Sequence, residues 1–277
     1  MTRAEYAVLL AAAVDAALAA GREILAVYGG PIAVELKDDR SPLTEADRRA
    51  HRAIAAALSD TGLPLLSEEG RALPAAERRA WERYWLVDPL DGTKEFVRRN
   101  GEFTVNIALM ERTGEPAGTA GVADPIGGVV YAPVKDLLYF AWRGGGAWRD
   151  ERASAPRTSL ADRVGASRRL PLAVERAAYT VVASRSHMSP ETEEFIRAAE
   201  REHGRVELAS LGSALKICLV AEGSADAYPR FAPTMEWDTA AGHAIALEAG
   251  RTLVDPRDGR PLRYNKEDLV NSWFLVR

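Results

Sequence analysis

One ten-residue stretch limits the possible folds more than any other: Trp85-Leu86-Val87-Asp88-Pro89-Leu90-Asp91-Gly92-Thr93-Lys94. The apolar run from Tyr84 to Val87 has the length of a strand and stops abruptly at an acid. Pro89 is expected to turn the chain, and Asp91 follows Asp88 closely enough for both carboxylates to converge on one point. Left alone they would repel, so a cation belongs between them. Hard divalent cations such as Mg²⁺ take carboxylate oxygens and keep positions open for water and phosphate. The Leu90 carbonyl offers a further ligand, and Gly92 lets the backbone approach a bound group closely. The N–H groups of Gly92 and Thr93 offer a cradle for phosphate. The competing reading is a plain Asx-type turn, for which Asp-Pro and Asp-Gly are common.

Other acids weaken that plainer reading. Ser67-Glu68-Glu69-Gly70 also sets two carboxylates at the end of an apolar strand, although either Glu alone could cap a helix or face solvent. In Glu236-Trp237-Asp238-Thr239-Ala240-Ala241-Gly242, Asp238 opens a helix of small residues that permit tight packing; by itself it would be an ordinary N-cap. Lys37-Asp38-Asp39-Arg40-Ser41-Pro42-Leu43-Thr44 leads to Asp47, which on its own fits a capping box with Thr44.

The rest of the chain narrows the class. Its 277 residues suit one large domain or two small ones. Lys+Arg total 36 against 40 Asp+Glu, a net charge of -4, which argues against nucleic-acid polymers and anionic membrane surfaces as partners. The lone cysteine, Cys218, excludes a disulfide framework or a Cys-based zinc site within one chain, and fits a reducing cytoplasm. Tyr6 to Ala20 imitates a signal peptide, but Glu5 follows Arg3 where a basic start is needed and Asp15 interrupts the apolar core. Tyr6, Leu10, Val14, Leu18, Leu25 and Tyr28 instead form one stripe of an amphipathic helix. No stretch approaches the ~18 apolar residues of a membrane span.

A second helix is expected from Thr44 to Leu58. Strands are expected at Leu63–Ser67, Phe103–Met110, Val129–Tyr131, Leu137–Trp142 and Tyr179–Ala183, with a loop or hairpin connection over Gly114–Gly128. Further helices are expected at Pro190–Glu202, Leu215–Ala221 and Asp238–Ala249. The pattern is α+β, two units side by side in layers of helix, sheet, helix, sheet and helix. The segment Ala153–Pro171 is the candidate junction between an N-terminal α+β unit (1–155), with most of the acids, and a C-terminal α/β unit (156–277), with Asp238.

Taken together, the Asp88-to-Thr93 turn, Ser67-Glu68-Glu69 and Trp237-Asp238-Thr239-Ala240-Ala241-Gly242 resemble the signature of the inositol monophosphatase superfamily, in order and in spacing. The resemblance runs from Lys37 through Asn265-Lys266 and implies the α-β-α-β-α sandwich of sugar phosphatases. Leu90 to Phe96 with Asn100 to Ala108, Ser184-Arg185-Ser186-His187, and Leu211 to Lys216 followed by Tyr228-Pro229-Arg230 are most similar to the CysQ-type 3'(2'),5'-bisphosphate nucleotidase branch. Ala117 to Ile126 departs from that pattern as an insertion.

The resemblance implies a lithium-sensitive phosphomonoesterase with two or three Mg²⁺ ions. Glu68, Asp88 and the Leu90 carbonyl would hold one; Asp88, Asp91 and Asp238 a second; Asp47 would approach a weaker third. Glu68 and Thr93 would orient and deprotonate a water, with Glu69 behind the ligands. Gly92, Thr93, Lys94, Gly212, Ser213 and Lys216 would meet the substrate, Lys216 neutralising a second phosphate, and Arg185 and His187 would meet the 5'-phosphate or ribose. The implied reaction converts 3'-phosphoadenosine 5'-phosphate to AMP and phosphate, in sulfur assimilation. Inositol-1-phosphate and fructose-1,6-bisphosphate phosphatases are the alternatives, and the chain would work in the cytoplasm as a monomer or homodimer.

Overall fold

The computed structural model describes residues 2–36, 42–113, 122–183 and 188–277. Helix α1 (Arg3–Tyr28) begins with a reciprocal cap, in which Glu5 N donates to Thr2 Oγ1 and Thr2 N to Glu5 Oε2. Its inner face is Tyr6, Leu10, Val14, Ala17 and Ile24, whereas Leu25 is 38% exposed and stands off the expected stripe. A hairpin of β1 (Val34–Leu36) and β2 (Pro42–Thr44) leads into α2 (Glu45–Leu58), which Thr44 caps as its sequence suggests.

Next come β3 (Leu65–Ser67), α3 (Ala75–Arg79), β4 (Arg83–Asp91), the short α4 (Thr93–Val97), β5 (Thr104–Thr113) and β6 (Val122–Ala132). They are followed by β7 (Leu137–Trp142), β8 (Gly146–Asp150), α5 (Leu160–Ala166) and β9 (Arg168–Arg169). Strands β3 to β9 form one sheet in sequence order, antiparallel except for the parallel pair β3 and β4. Arg168 and Arg169, inside the segment 153–171 expected as the junction, pair with β8, so the sheet takes in part of that segment.

The remaining elements are β10 (Tyr179–Val182), α6 (Pro190–His203), β11 (Val206–Ala209), α7 (Leu215–Ala221), β12 (Tyr228–Arg230), α8 (Glu236–Glu248), β13 (Leu253–Val254) and β14 (Phe274–Val276). Strands β10 and β11 pair in parallel, and β14 lies between β12 and β13.

Alternation along β4 builds the layers. Trp85 and Val87 point into a core shared with α1 and α2, while Tyr84 and Leu86 point into one shared with α7 and α8. The strands and helix α6 of the C-terminal part complete the expected α-β-α-β-α sandwich. Gly128 makes the central contact possible: a Cβ there would stand 2.3 Å from the Ala241 carbonyl oxygen, so α8 lies directly on β6.

Two expectations change. Strand β4 does not end at Asp88 but continues through Pro89 to Asp91. Gly114–Gly128 is not all connection, because β6 begins at Val122; the earlier part of the Ala117–Ile126 insertion lies outside the described residues.

Buried His243 on α8 pairs its Nδ1 with Tyr264 Oη at 2.9 Å, and burial pushes it down to about 3. Its folded value lies below its ordinary one, so the unfolded chain gains a proton that the folded chain refuses. Stability should therefore fall as pH drops from about 6.5 towards 3, by at most about 1.4 kcal/mol per pH unit from this group. Urea unfolding at pH 7 and pH 5 should show a shallower pH slope for His243→Gln than for wild type; equal slopes would contradict this origin.

Candidate active site

The end of β4 is built around a bulge. Asp88 pairs with Asn106 and Asp91 with Thr104, so β4 carries one residue more than β5 between the two pairs. Without it, residues three apart would point to opposite faces; the extra residue turns both carboxylates to one side. Pro89 suits this place because it has no N–H to give to the ladder. Buried Asp88 accepts from Leu90 N through Oδ1 at 3.0 Å. Asp91 Oδ2 accepts from Ala214 N at 2.6 Å and from Asn106 Nδ2 at 3.1 Å.

Two other segments bring acids to this point. Because β3 runs parallel to β4, Glu68 N donates to Val87 O at 3.1 Å, which sets Glu68 beside Asp88. Asp238, in the first turn of α8, accepts from Met235 N at 2.8 Å. Burial, then the charges of Glu68, Asp91 and Asp238, pushes the Asp88 carboxyl well above the usual range. Asp238 is likewise pushed up by burial and by Asp91 and Glu68. Asp91 is raised by burial against the opposing effects of Lys216 and of its hydrogen bonds.

Asp47 reaches the same place from α2. Its Oδ2 accepts from Thr44 N at 2.7 Å and Thr44 Oγ1 at 2.6 Å. Thr93 Oγ1 lies 3.3 Å from Asp47 Oδ1 and 3.4 Å from the Leu90 carbonyl oxygen, so its proton is shared between them. Burial pushes Asp47 up to about 6 despite the Thr44 donors.

Asp91 and Asp238 also line a cavity of about 490 Å³. Lys94, Gly92, Gly212, Ser213, Lys216 and Arg230 line it too. Lys216 Nζ donates to Ser213 O at 2.8 Å and stands 5.8 Å from the centre of the Tyr228 ring. The Arg230 Nε is buried without a hydrogen-bond partner.

Glu68, Asp88, Asp91 and Asp238 therefore lie close enough to raise one another's carboxyls, and Thr93 links Asp47 to the Leu90 carbonyl. The glycines and lysines expected at the substrate line the adjoining cavity, with Lys94 on its exposed edge. Arg185 and His187 lie outside the described residues. Sequence reasoning missed that Arg230, which it read only as family likeness, lines the cavity, and that Asn106, a polar residue inside the apolar run Phe103–Met110, donates to Asp91.

The donor chemistry fits a hard divalent cation: carboxylates, one carbonyl, and burial that penalises their charge until a cation offsets it. Among the described residues no three His, Cys, Asp or Glu side chains form a ready metal cage. The acids instead turn one oxygen each to backbone N–H groups of Leu90, Ala214 and Met235, as mutually repelling carboxylates would. The fit lies in the donors and their grouping.

Fold and site together define a class: the chain belongs to the inositol monophosphatase family, whose model matches residues 5–273. The particular relatives are CysQ proteins. The chain is 45% identical to the 3'(2'),5'-bisphosphate nucleotidase CysQ of Escherichia coli K12 over 93% of its own length and 94% of the relative's. The Salmonella typhimurium LT2 protein of that name matches with the same identity and coverage. The crystal structure of CysQ from Bacteroides thetaiotaomicron, a bacterial member of the family, superposes with a TM-score of 0.85 at 53% identity, covering 96% of this chain and 95% of that one. No helix among the described residues is long and apolar enough to cross a membrane.

Proposed function

We propose that this chain is a Mg²⁺-dependent phosphatase that removes the 3'-phosphate of adenosine 3',5'-bisphosphate, leaving AMP. The observation that carries the reading is Asp91, which belongs both to the acid cluster and to the cavity holding Lys216 and Arg230. The reacting phosphate meets the acids while a second phosphate meets two fixed cations.

Glu68, Asp88 and the Leu90 carbonyl would hold one Mg²⁺, and Asp88, Asp91 and Asp238 another, with Asp47 towards a weaker third. Bound there, the ions would clamp phosphate oxygens, acidify a water and offset the charge of the leaving alkoxide.

The chain's own groups do the rest. Thr93 Oγ1, anchored between Asp47 and the Leu90 carbonyl, orients the attacking water by accepting its hydrogen bond. Asp47, raised towards neutrality, suits a proton acceptor at the end of that relay, and Glu68 helps to orient the same water. The backbone around Gly92 and Thr93 cradles the phosphate, with Lys94 at its edge. Gly212 and Ser213 shape the wall against the sugar, while Lys216 and Arg230 neutralise the 5'-phosphate. Arg185 and His187 are proposed as additional contacts to that end. The buried Cys218, whose thiol burial pushes up, takes no part and suits a reducing cytoplasm.

Dialysis against EDTA should lower phosphate release at least about 100-fold, and added Mg²⁺ should restore it, as expected of a metal that supplies several kcal/mol. Added Li⁺ should inhibit the restored enzyme. Activity that survives EDTA would contradict the metal mechanism.

A further inference from the structure

The turn Leu211–Ala214 is fastened at three consecutive residues. Gly212 N donates to Glu102 Oε2 at 3.0 Å, Ser213 O accepts from Lys216 Nζ at 2.8 Å, and Ala214 N donates to Asp91 Oδ2 at 2.6 Å. Ser213 between them is held at φ +52°, a region that residues other than glycine disfavour. Its Oγ is buried without a hydrogen-bond partner, and the residue lines the cavity. Gly212 presses so closely on the 102 backbone that a Cβ would stand 2.4 Å from the Glu102 carbonyl oxygen. Glu102 in turn stands on a fixed base, because its N–H donates to Asn100 Oδ1 at 2.9 Å.

We infer that Glu102 is a positioning residue for recognition of the substrate's second phosphate. An acid beside an anion site would ordinarily weaken binding by repulsion. Here one carboxylate oxygen is committed to Gly212 N, so the side chain acts as a latch and not as a substrate contact. The latch holds Ser213 in its disfavoured conformation and fixes the carbonyl that locates the Lys216 ammonium. When the latch is removed, Ser213 relaxes and its carbonyl carries Lys216 away from the second phosphate. The acids at the reacting phosphate keep their other anchors. The inference rests on the bisphosphate reading above.

The test is steady-state kinetics of wild type, Glu102→Ala and Glu102→Gln on adenosine 3',5'-bisphosphate and on p-nitrophenyl phosphate, with Tm recorded for each protein. Glu102→Ala should raise KM for the bisphosphate about tenfold while kcat falls less than about threefold, the size expected from one charge-assisted hydrogen bond. Its KM for p-nitrophenyl phosphate, which has no second phosphate, should change less than about twofold. Glu102→Gln keeps an oxygen acceptor and should recover most of the lost affinity. Gly212→Ala, which pushes the turn off Glu102 by another route, should reproduce the KM effect if Glu102→Ala does not fold. An unchanged bisphosphate KM, an equal loss on both substrates, or failure of Gln to recover affinity would overturn the role. A wild type that prefers p-nitrophenyl phosphate would overturn the bisphosphate reading itself, and this inference with it.

Discussion

Asp91→Asn should lower kcat/KM on the order of 10³-fold, the largest loss expected of any single substitution here. Asp91 is both a proposed metal ligand and the anchor of the Ala214 N–H, and Oδ2 takes donors from Ala214 and Asn106. An asparagine can satisfy those donors only by turning its NH₂ towards the acid cluster, where a cation is proposed to bind. The fold should not suffer in proportion. Burial already raises the Asp91 carboxyl, and its charge raises those of Asp88 and Asp238. Without Mg²⁺, the variant should therefore melt at or above the wild-type temperature, while losing the increase in Tm that Mg²⁺ gives the wild type. Near-normal turnover, or an undiminished Mg²⁺ shift, would contradict the role.

Gly128→Ala should destabilise the chain by about 1–3 kcal/mol and raise the Mg²⁺ concentration needed for half-maximal activity. The new methyl would meet the Ala241 carbonyl oxygen at 2.3 Å and the Ala244 Cβ at 3.0 Å. Neither neighbour is the far end of a flexible side chain, so α8 itself must move away from β6. Asp238 rides on the first turn of that helix, so a core substitution should reach the acid cluster. The fall in Tm should be on the order of 5 °C. Circular dichroism melts and a Mg²⁺ titration of activity check both halves. A variant with unchanged Tm would show that α8 does not press on β6 as described.

The site was easier to read in the sequence than the backbone that assembles it. Asp88, Asp91, Glu68 and Asp238 each stand at the end of an apolar run or the start of a helix, so their types and places were legible. The device that points Asp88 and Asp91 to one side was not. Pro89 suggested a turn, yet the strand continues and gains a bulge, a choice made by pairing with β5 and not by local propensity. Arg168–Arg169 and Leu253–Val254 are two-residue strands, too short to leave any alternation, and only their partners define them. Leu25 fits a helical period by spacing, but the inner face of α1 is completed by alanines, which period counting does not credit. Arg230 follows a tyrosine and a proline in a short strand, and nothing local indicates that it lines the cavity beside Lys216.

The most direct test of the proposed activity is a comparison of kcat/KM for adenosine 3',5'-bisphosphate, inositol 1-phosphate and fructose 1,6-bisphosphate at one fixed Mg²⁺ concentration, with the nucleotide product identified by ³¹P NMR. The prediction is a preference of at least about 100-fold over inositol 1-phosphate, which has no second phosphate to meet Lys216 and Arg230, and a smaller preference over fructose 1,6-bisphosphate, whose second phosphate sits at a different spacing, with AMP as the product. Equal or faster hydrolysis of either sugar phosphate, or release of the 5'-phosphate in place of the 3'-phosphate, would contradict it.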